Sequence, residues 1–202
     1  VTKEERYKMK RLRILTFLGC LIPFVLLLLK VFQNELGPDP AKELALETGE
    51  WAIRFLLLAL AMTPLRHLSG RIAFAQRRRM IGLFALFYAS VHFLVWVVFL
   101  LGLRWGAILE EVIERPYITL GFSSFLILVV LGATSPRVMV RRLGKNWRRL
   151  HRLVYVAGVL AIIHLVWIVR TDLSEALVYG AILAGLLGWR IVFARNNARR
   201  PL

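Results

Sequence analysis

Long apolar stretches alternate with short polar ones along the whole chain. A helix of about 20 apolar residues can cross a bilayer, and six stretches reach or approach that length. They predict membrane-spanning helices at residues 14–32, 48–64, 80–103, 117–134, 150–169 and 176–193. The connections are too short to hold a second folded domain, and no internal repeat is evident. We therefore expect an all-α integral membrane protein, a single six-transmembrane-helix bundle covering residues 1–202.

Charge then predicts how the bundle is oriented. Hydrophobic residues make up 58% of the chain, as in a membrane protein, although the net charge is +16. From the amino terminus, the polar segments carry 6, 1, 5, 2, 6, 1 and 4 basic residues. This alternation predicts that both termini are cytoplasmic. Because topology accounts for the basic residues, they give no reason to expect nucleic-acid binding.

Acidic residues gather on the opposite, outer side. They form either a solvated loop surface or a surface on which a partner docks. These residues are Glu35, Asp39, Glu43, Glu47, Glu50, Glu110, Glu111 and Glu114.

Two histidines deep in apolar segments are the strongest candidates for chemistry. Ionisable side chains inside a membrane are usually functional, and neutral imidazole is an axial ligand of haem iron. The third and fifth spans both enter from the cytoplasm, so His92 and His164 fall at matching depth in the outer half. They can face each other across one porphyrin and make it a six-coordinate electron carrier.

A second cofactor position is indicated nearer the cytoplasm. His151 lies about 19.5 Å from His164 along an ideal helix, level with Arg78 on the third span. A haem there would have His151 as its first ligand. Its second ligand would be unusual or missing, or would be His67 in place of Arg78. An ideal helix turns the two histidines about 140° apart, and we expect a bulge at Gly158 to reconcile them.

Other residues of these segments fit a flat anionic cofactor. The small residues Gly82, Ala85 and Ala89 form a stripe on the third span, either as a haem groove or for close helix packing. Several arginines near the span ends could pair with haem propionates or extend to the membrane surface. These are Arg54 and Arg170 on the outer side and Arg79, Arg148 and Arg152 on the inner side.

Five sequence motifs carry a family resemblance that runs over nearly the whole chain. They are LGPDP (36–40), MTPLR (62–66), RRMIGLFALFYASVHF (78–93), RPYITLG (115–121) and LGKNWRRLHRLVY (143–155). With these motifs the chain resembles the MsrQ family, also called YedZ. Its members are haem-binding membrane subunits of the periplasmic methionine sulfoxide reductase system, within the ferric reductase-like transmembrane superfamily. Arg78 stands where that superfamily has the first histidine of the third span.

The resemblance implies a role in electron transfer and no catalytic residue in this chain. It implies haem b on His92 and His164, a second haem at His151, and FMN, for which no phosphate-cradling glycine loop is found. Electrons would come from the quinol pool or a cytoplasmic flavin reductase and cross the inner membrane. They would reach MsrP, the periplasmic molybdopterin-containing subunit that reduces oxidised methionine in proteins.

Two other functions stay open from the sequence. A stand-alone transmembrane ferric or quinone reductase would need the same haem. A proton-coupled transporter could use the histidines and arginines as a relay, and it predicts a colourless purified protein.

Overall fold

The computed structural model describes residues 3–169 and 172–198, and this part of the chain is helical without any β-strand. A π-helical turn at Trp96–Leu100 follows the third helix. The α-helices are α1 Lys3–Phe32, α2 Pro40–Ser69, α3 Ile72–Val95, α4 Ala107–Glu114, α5 Pro116–Ala133, α6 Arg137–Leu143, α7 Lys145–Leu150, α8 Leu153–Ile168 and α9 Ser174–Ala198.

Five helical segments of the described chain are long and apolar enough to cross a membrane. They are Tyr7–Phe32, Ile72–Leu100, Pro116–Ala133, Lys145–Ile168 and Ser174–Asn196. The sixth long helix, α2, covers the second expected span but carries Glu50 and Arg54 within it and is not among the five. The all-helical prediction is confirmed, whereas the six-span count and the cytoplasmic termini stay predictions.

The core lies where α2 and α3 pack together and meet α5 and α8. Its centre is aromatic, since the ring of Phe55 on α2 stacks on that of Tyr88 on α3, with centroids 5.0 Å apart. A second apolar cluster joins α2 and α8 to α9. Many leucines and valines of α1 and α9 are exposed around the bundle, as expected of helices that face lipid tails.

The hydroxyl of Tyr88 joins the first helix to this core. It accepts a hydrogen bond from Phe24 N at 3.0 Å and donates one to Cys20 O at 2.9 Å. These two backbone groups lie four residues apart in α1, around Pro23, so the hydroxyl ties α3 to one turn of α1.

The connections between the long helices contain the short helices α4, α6 and α7. The structure corrects one expectation about local geometry. The bulge expected at Gly158 is wrong, because α8 is α-helical from Leu153 to Ile168. The regular α-helical pattern is interrupted instead at His151 and Arg152, where α7 has ended and α8 has not begun.

Candidate cofactor sites

The first candidate site is a cavity of about 630 Å³ enclosed mainly by α2, α3, α5 and α8. Cofactor pockets in proteins usually measure roughly 300–1,000 Å³. Both His92 and His164 line it, together with apolar side chains such as Phe93 and Leu165. Charged side chains also line it, namely Lys42, Glu50, Arg104, Glu111 and Arg115. We call this space the outer cavity.

The two histidines face each other in the outer cavity, as expected from their matching depth. Their ring centroids are 6.2 Å apart and the ring planes are inclined by 78°. His92 Nδ1 lies 2.8 Å from Ala45 O, and His164 Nδ1 lies 2.6 Å from Tyr117 O. A carbonyl only accepts hydrogen bonds, so each Nδ1 is the donor and each Nε2 keeps a free lone pair.

This spacing fits two ligands on opposite sides of one metal ion. A histidine nitrogen binds a metal at about 2 Å, and the centre of the ring lies roughly 1 Å farther out. Two such rings would therefore have centroids about 6 Å apart. The carbonyls of Ala45 and Tyr117 accept hydrogen bonds from the Nδ1 atoms of the two rings. Histidines that bind a metal commonly make such a hydrogen bond with their other ring nitrogen.

Each histidine ring lies against a glycine on the neighbouring helix. A Cβ on Gly49 would lie 3.1 Å from Nδ1 of His92, and a Cβ on Gly121 would lie 2.8 Å from Nδ1 and Cε1 of His164. Side chains cannot approach so closely without a shift. The two glycines therefore make room for the rings.

These contacts reveal an internal repeat, so the prediction of none is wrong. Each residue in the contacts of His164 lies 72 residues after its counterpart in the contacts of His92. The corresponding pairs are Ala45 and Tyr117, Gly49 and Gly121, and His92 and His164. The helix pair α2 and α3 thus corresponds to the pair α5 and α8. Identical residues at the same offset include Leu56 and Leu128, Pro64 and Pro136, Arg77 and Arg149, Ala85 and Ala157, and Ala89 and Ala161.

A second cavity of about 520 Å³, the inner cavity, lies at the other end of the same four helices. His151 lines it together with Arg78 and Arg79, so the structure brings together the residues expected at the second cofactor position. Arg137 and Arg141, which the sequence did not single out, add two more positive charges. No histidine besides His151 is among the described lining residues.

His151 is held on one side only. Its ring stacks on Trp147, with centroids 3.9 Å apart, and its Nδ1 lies 3.2 Å from Trp147 O. Its Nε2 is buried without a hydrogen-bond partner in the described structure. A buried polar atom of this kind usually has a partner, and the site therefore fits a ligand that binds to nitrogen.

The remaining candidates lie elsewhere. Arg54 does not line the outer cavity, because its guanidinium bonds Glu50 and Tyr179. Arg148 is exposed and lines neither cavity. His67 contacts Trp189 and Phe193 on α9 instead of substituting for Arg78. Arg152 is exposed, and Arg170 lies outside the described residues.

Two leucines separate the cavities. Leu56 and Leu128 line both the outer and the inner cavity, and both are buried. The expected small-residue stripe runs past this partition. Gly82 lines the inner cavity and Ala89 the outer one, while Ala85 is packed in the core between them.

The chain is similar to known proteins over most of its length. A family model described as "Ferric reductase like transmembrane component" matches residues 48–162. The protein-methionine-sulfoxide reductase heme-binding subunit MsrQ of Xanthomonas euvesicatoria pv. vesicatoria is 48% identical over 168 residues, which cover 83% of this chain and 77% of that protein. The protein of the same name from Bordetella pertussis is 44% identical over 194 residues, 94% of each chain. No solved structure matches.

Proposed function

Because this chain belongs to the MsrQ family of heme-binding subunits of protein-methionine-sulfoxide reductase, we propose that it carries electrons across the bacterial inner membrane on haem b. It is a multi-pass membrane protein with a ferric reductase-like core. The electrons would leave on the periplasmic side for the molybdopterin-containing subunit MsrP, which reduces oxidised methionine in proteins. This chain would perform no sulfoxide chemistry itself.

The facing pair of His92 and His164 is the observation that carries the proposal. Their ring centroids are 6.2 Å apart, a spacing that suits two histidine ligands of one metal ion. His92 and His164 would both be ligands of a bound haem, which would then serve as an electron carrier and not as a site for oxygen or substrate. The bound haem would supply a one-electron carrier at this depth of the membrane.

The chain's own residues fix how that carrier is held. The carbonyls of Ala45 and Tyr117 hold the protons on Nδ1 and so keep both Nε2 atoms available as ligands. Gly49 and Gly121 allow the rings their positions. Lys42 and Arg104, which line the same cavity, are suitable partners for the propionates.

The inner cavity fits a second haem held by His151. Its unpartnered Nε2 would be the protein ligand, in a cavity that Arg78 and Arg79 also line. Arg137 and Arg141 would neutralise the propionates. A carrier at this end would receive electrons from quinol or from a cytoplasmic flavin reductase. Binding of FMN stays a prediction of the family resemblance.

Direction across the membrane follows from charge. The inner cavity is surrounded by the arginine-rich segments that the positive-inside rule assigns to the cytoplasm. The outer cavity opens among residues of the two acidic segments, including Glu50 and Glu111. Electrons entering at the inner cavity would therefore leave at the acidic side, where complementary charge would raise the rate of encounter with a partner.

The test is haem quantification with reduced-minus-oxidised optical spectra of the purified protein. Wild type and His67→Ala, the control histidine that lines neither cavity, should carry the same low-spin b-type haem. His92→Ala and His164→Ala should each lose the same signal, while His151→Ala should lose only a second one. A colourless wild type that takes up no haem would refute the proposal and favour a transporter.

A further inference from the structure

The two histidines that face each other in the outer cavity differ in one neighbour. On α2, the hydroxyl of Thr48 lies beside the contact between His92 and the carbonyl of Ala45. Thr48 Oγ1 is 3.0 Å from Ala45 O and 3.5 Å from His92 Nδ1. The equivalent position of the internal repeat, 72 residues later, holds Leu120. The repeat therefore has a hydroxyl group at this position in its first half and a hydrocarbon side chain in its second.

The threonine is enclosed within the bundle. Only 1% of Thr48 is exposed, so bulk water does not reach its hydroxyl group. It lies inside α2, where threonine favours the helix less than leucine does. A buried hydroxyl group also costs free energy unless it is hydrogen-bonded. Helix formation alone therefore does not explain a threonine where the repeat has a leucine.

The hydroxyl proton points away from the histidine. The shortest contact of Thr48 Oγ1 is with Leu44 O, at 2.7 Å. A hydroxyl group has one proton and two lone pairs, and the nearer carbonyl receives the proton in the stronger hydrogen bond. His92 Nδ1 donates its own proton to Ala45 O at 2.8 Å. The oxygen of Thr48 is therefore a second and more distant negative neighbour of that proton.

Resting on the proposed haem function, we propose that Thr48 is a positioning residue that acts through His92 and lowers the reduction potential of the haem held by His92 and His164. Negative partial charge beside Nδ1 raises the basicity of the ring as a ligand. A more basic ligand stabilises iron(III) relative to iron(II), and hydrogen bonding around the axial ligands is one of the means by which a protein sets a haem potential. A haem of lower potential gives its electron more readily to an acceptor.

The internal repeat provides a matched position for comparison. Each histidine Nδ1 donates to a carbonyl, at 2.8 Å in the first half and 2.6 Å in the second, and each ring lies against a glycine. One hydroxyl group can thus be removed at position 48 or added at position 120. Neither Thr48 nor Leu120 lines the outer cavity, so neither substitution alters the wall that would contact the haem.

The experiment measures the midpoint potential of the haem whose signal is lost in His92→Ala, at one pH, with the full chain in lipid nanodiscs. Thr48→Val keeps the shape of the side chain and removes the hydroxyl group, so the potential should rise. Thr48→Ser restores a hydroxyl group and should return the potential most of the way to that of wild type. Leu120→Thr adds a hydroxyl group three residues after Tyr117, as Thr48 follows Ala45, and should lower the potential.

Opposite shifts distinguish this role from a structural one. A disturbance of packing in either helix would reduce the haem content or the low-spin signal, and it would not move the potential in opposite directions for removal and addition. Haem content and the low-spin spectrum should therefore match wild type in all three variants. The proposal is overturned if Thr48→Val does not raise the potential, if Thr48→Ser shifts it as far as valine does, or if Leu120→Thr does not lower it.

The two proposals fail in different ways. A wild type without haem refutes the proposed function, and this inference with it, before any titration. A wild-type haem whose potential is the same in Thr48→Val refutes the inference alone. If Thr48→Val does not load haem, Leu120→Thr decides, because that substitution leaves the neighbours of His92 unchanged.

Discussion

Replacing Gly121 by alanine should break the haem ligation without harming the helix. The added Cβ would lie 2.8 Å from two atoms of the His164 ring, whereas ordinary contacts begin at 3.4 Å. The ring must therefore withdraw by about 0.6 Å, and metal–ligand distances tolerate only about 0.2 Å. Alanine is favoured over glycine within a helix by about 1 kcal/mol, so a loss cannot come from the backbone.

Two other glycines give a graded comparison. A Cβ on Gly49 would lie 3.1 Å from the His92 ring, which requires a shift about half as large. A Cβ on Gly185 of α9 would meet no atom within 4 Å. The low-spin fraction of the haem should therefore fall most in Gly121→Ala, less in Gly49→Ala and not at all in Gly185→Ala.

Optical and electron paramagnetic resonance spectra of the purified variants measure this order. Loss of one axial histidine should convert the low-spin signal to a high-spin one while the protein remains folded. An unchanged low-spin haem content in Gly121→Ala would show that His164 is not a ligand in the position described.

Two further substitutions test how the bundle holds the sites. Tyr88→Phe removes the hydroxyl between Phe24 N and Cys20 O and should cost about 1–3 kcal/mol in unfolding free energy; an unchanged denaturation midpoint relative to wild type would contradict this. Leu56→Ala opens the partition between the cavities and should cost about 2–5 kcal/mol. Leu58→Ala, at a position 40% exposed, is the control for the second change, and equal losses in both would refute the partition.

The sequence was sufficient to predict the facing histidines because depth in a membrane follows from counting residues. His92 and His164 lie at similar distances from arginine-rich segments, and a helix converts that count into a height. Five of the six expected spans were predictable for the same reason, since apolar length is a local property.

Side-chain partners from distant helices were not predictable. Arg54 was expected near a propionate, but Tyr179, 125 residues away, and Glu50 hold its guanidinium. The interruption between α7 and α8 at His151 was not predictable either, because a helix can end without a glycine or proline at that position. The sequence did contain a signal for the two glycines that contact the histidine rings. Gly49 lies 43 residues before His92, and Gly121 lies 43 residues before His164.

The leucine partition has a consequence for the energy stored across the membrane. The outer and inner cavities lie at opposite ends of the bundle and resemble a channel that is interrupted by one constriction. A constriction formed by apolar side chains such as Leu56 and Leu128 excludes water and with it hydrated ions. Electrons need no water-filled path between neighbouring carriers. A bundle that carries electrons as proposed would therefore stay sealed to protons, and its turnover would not dissipate the membrane potential.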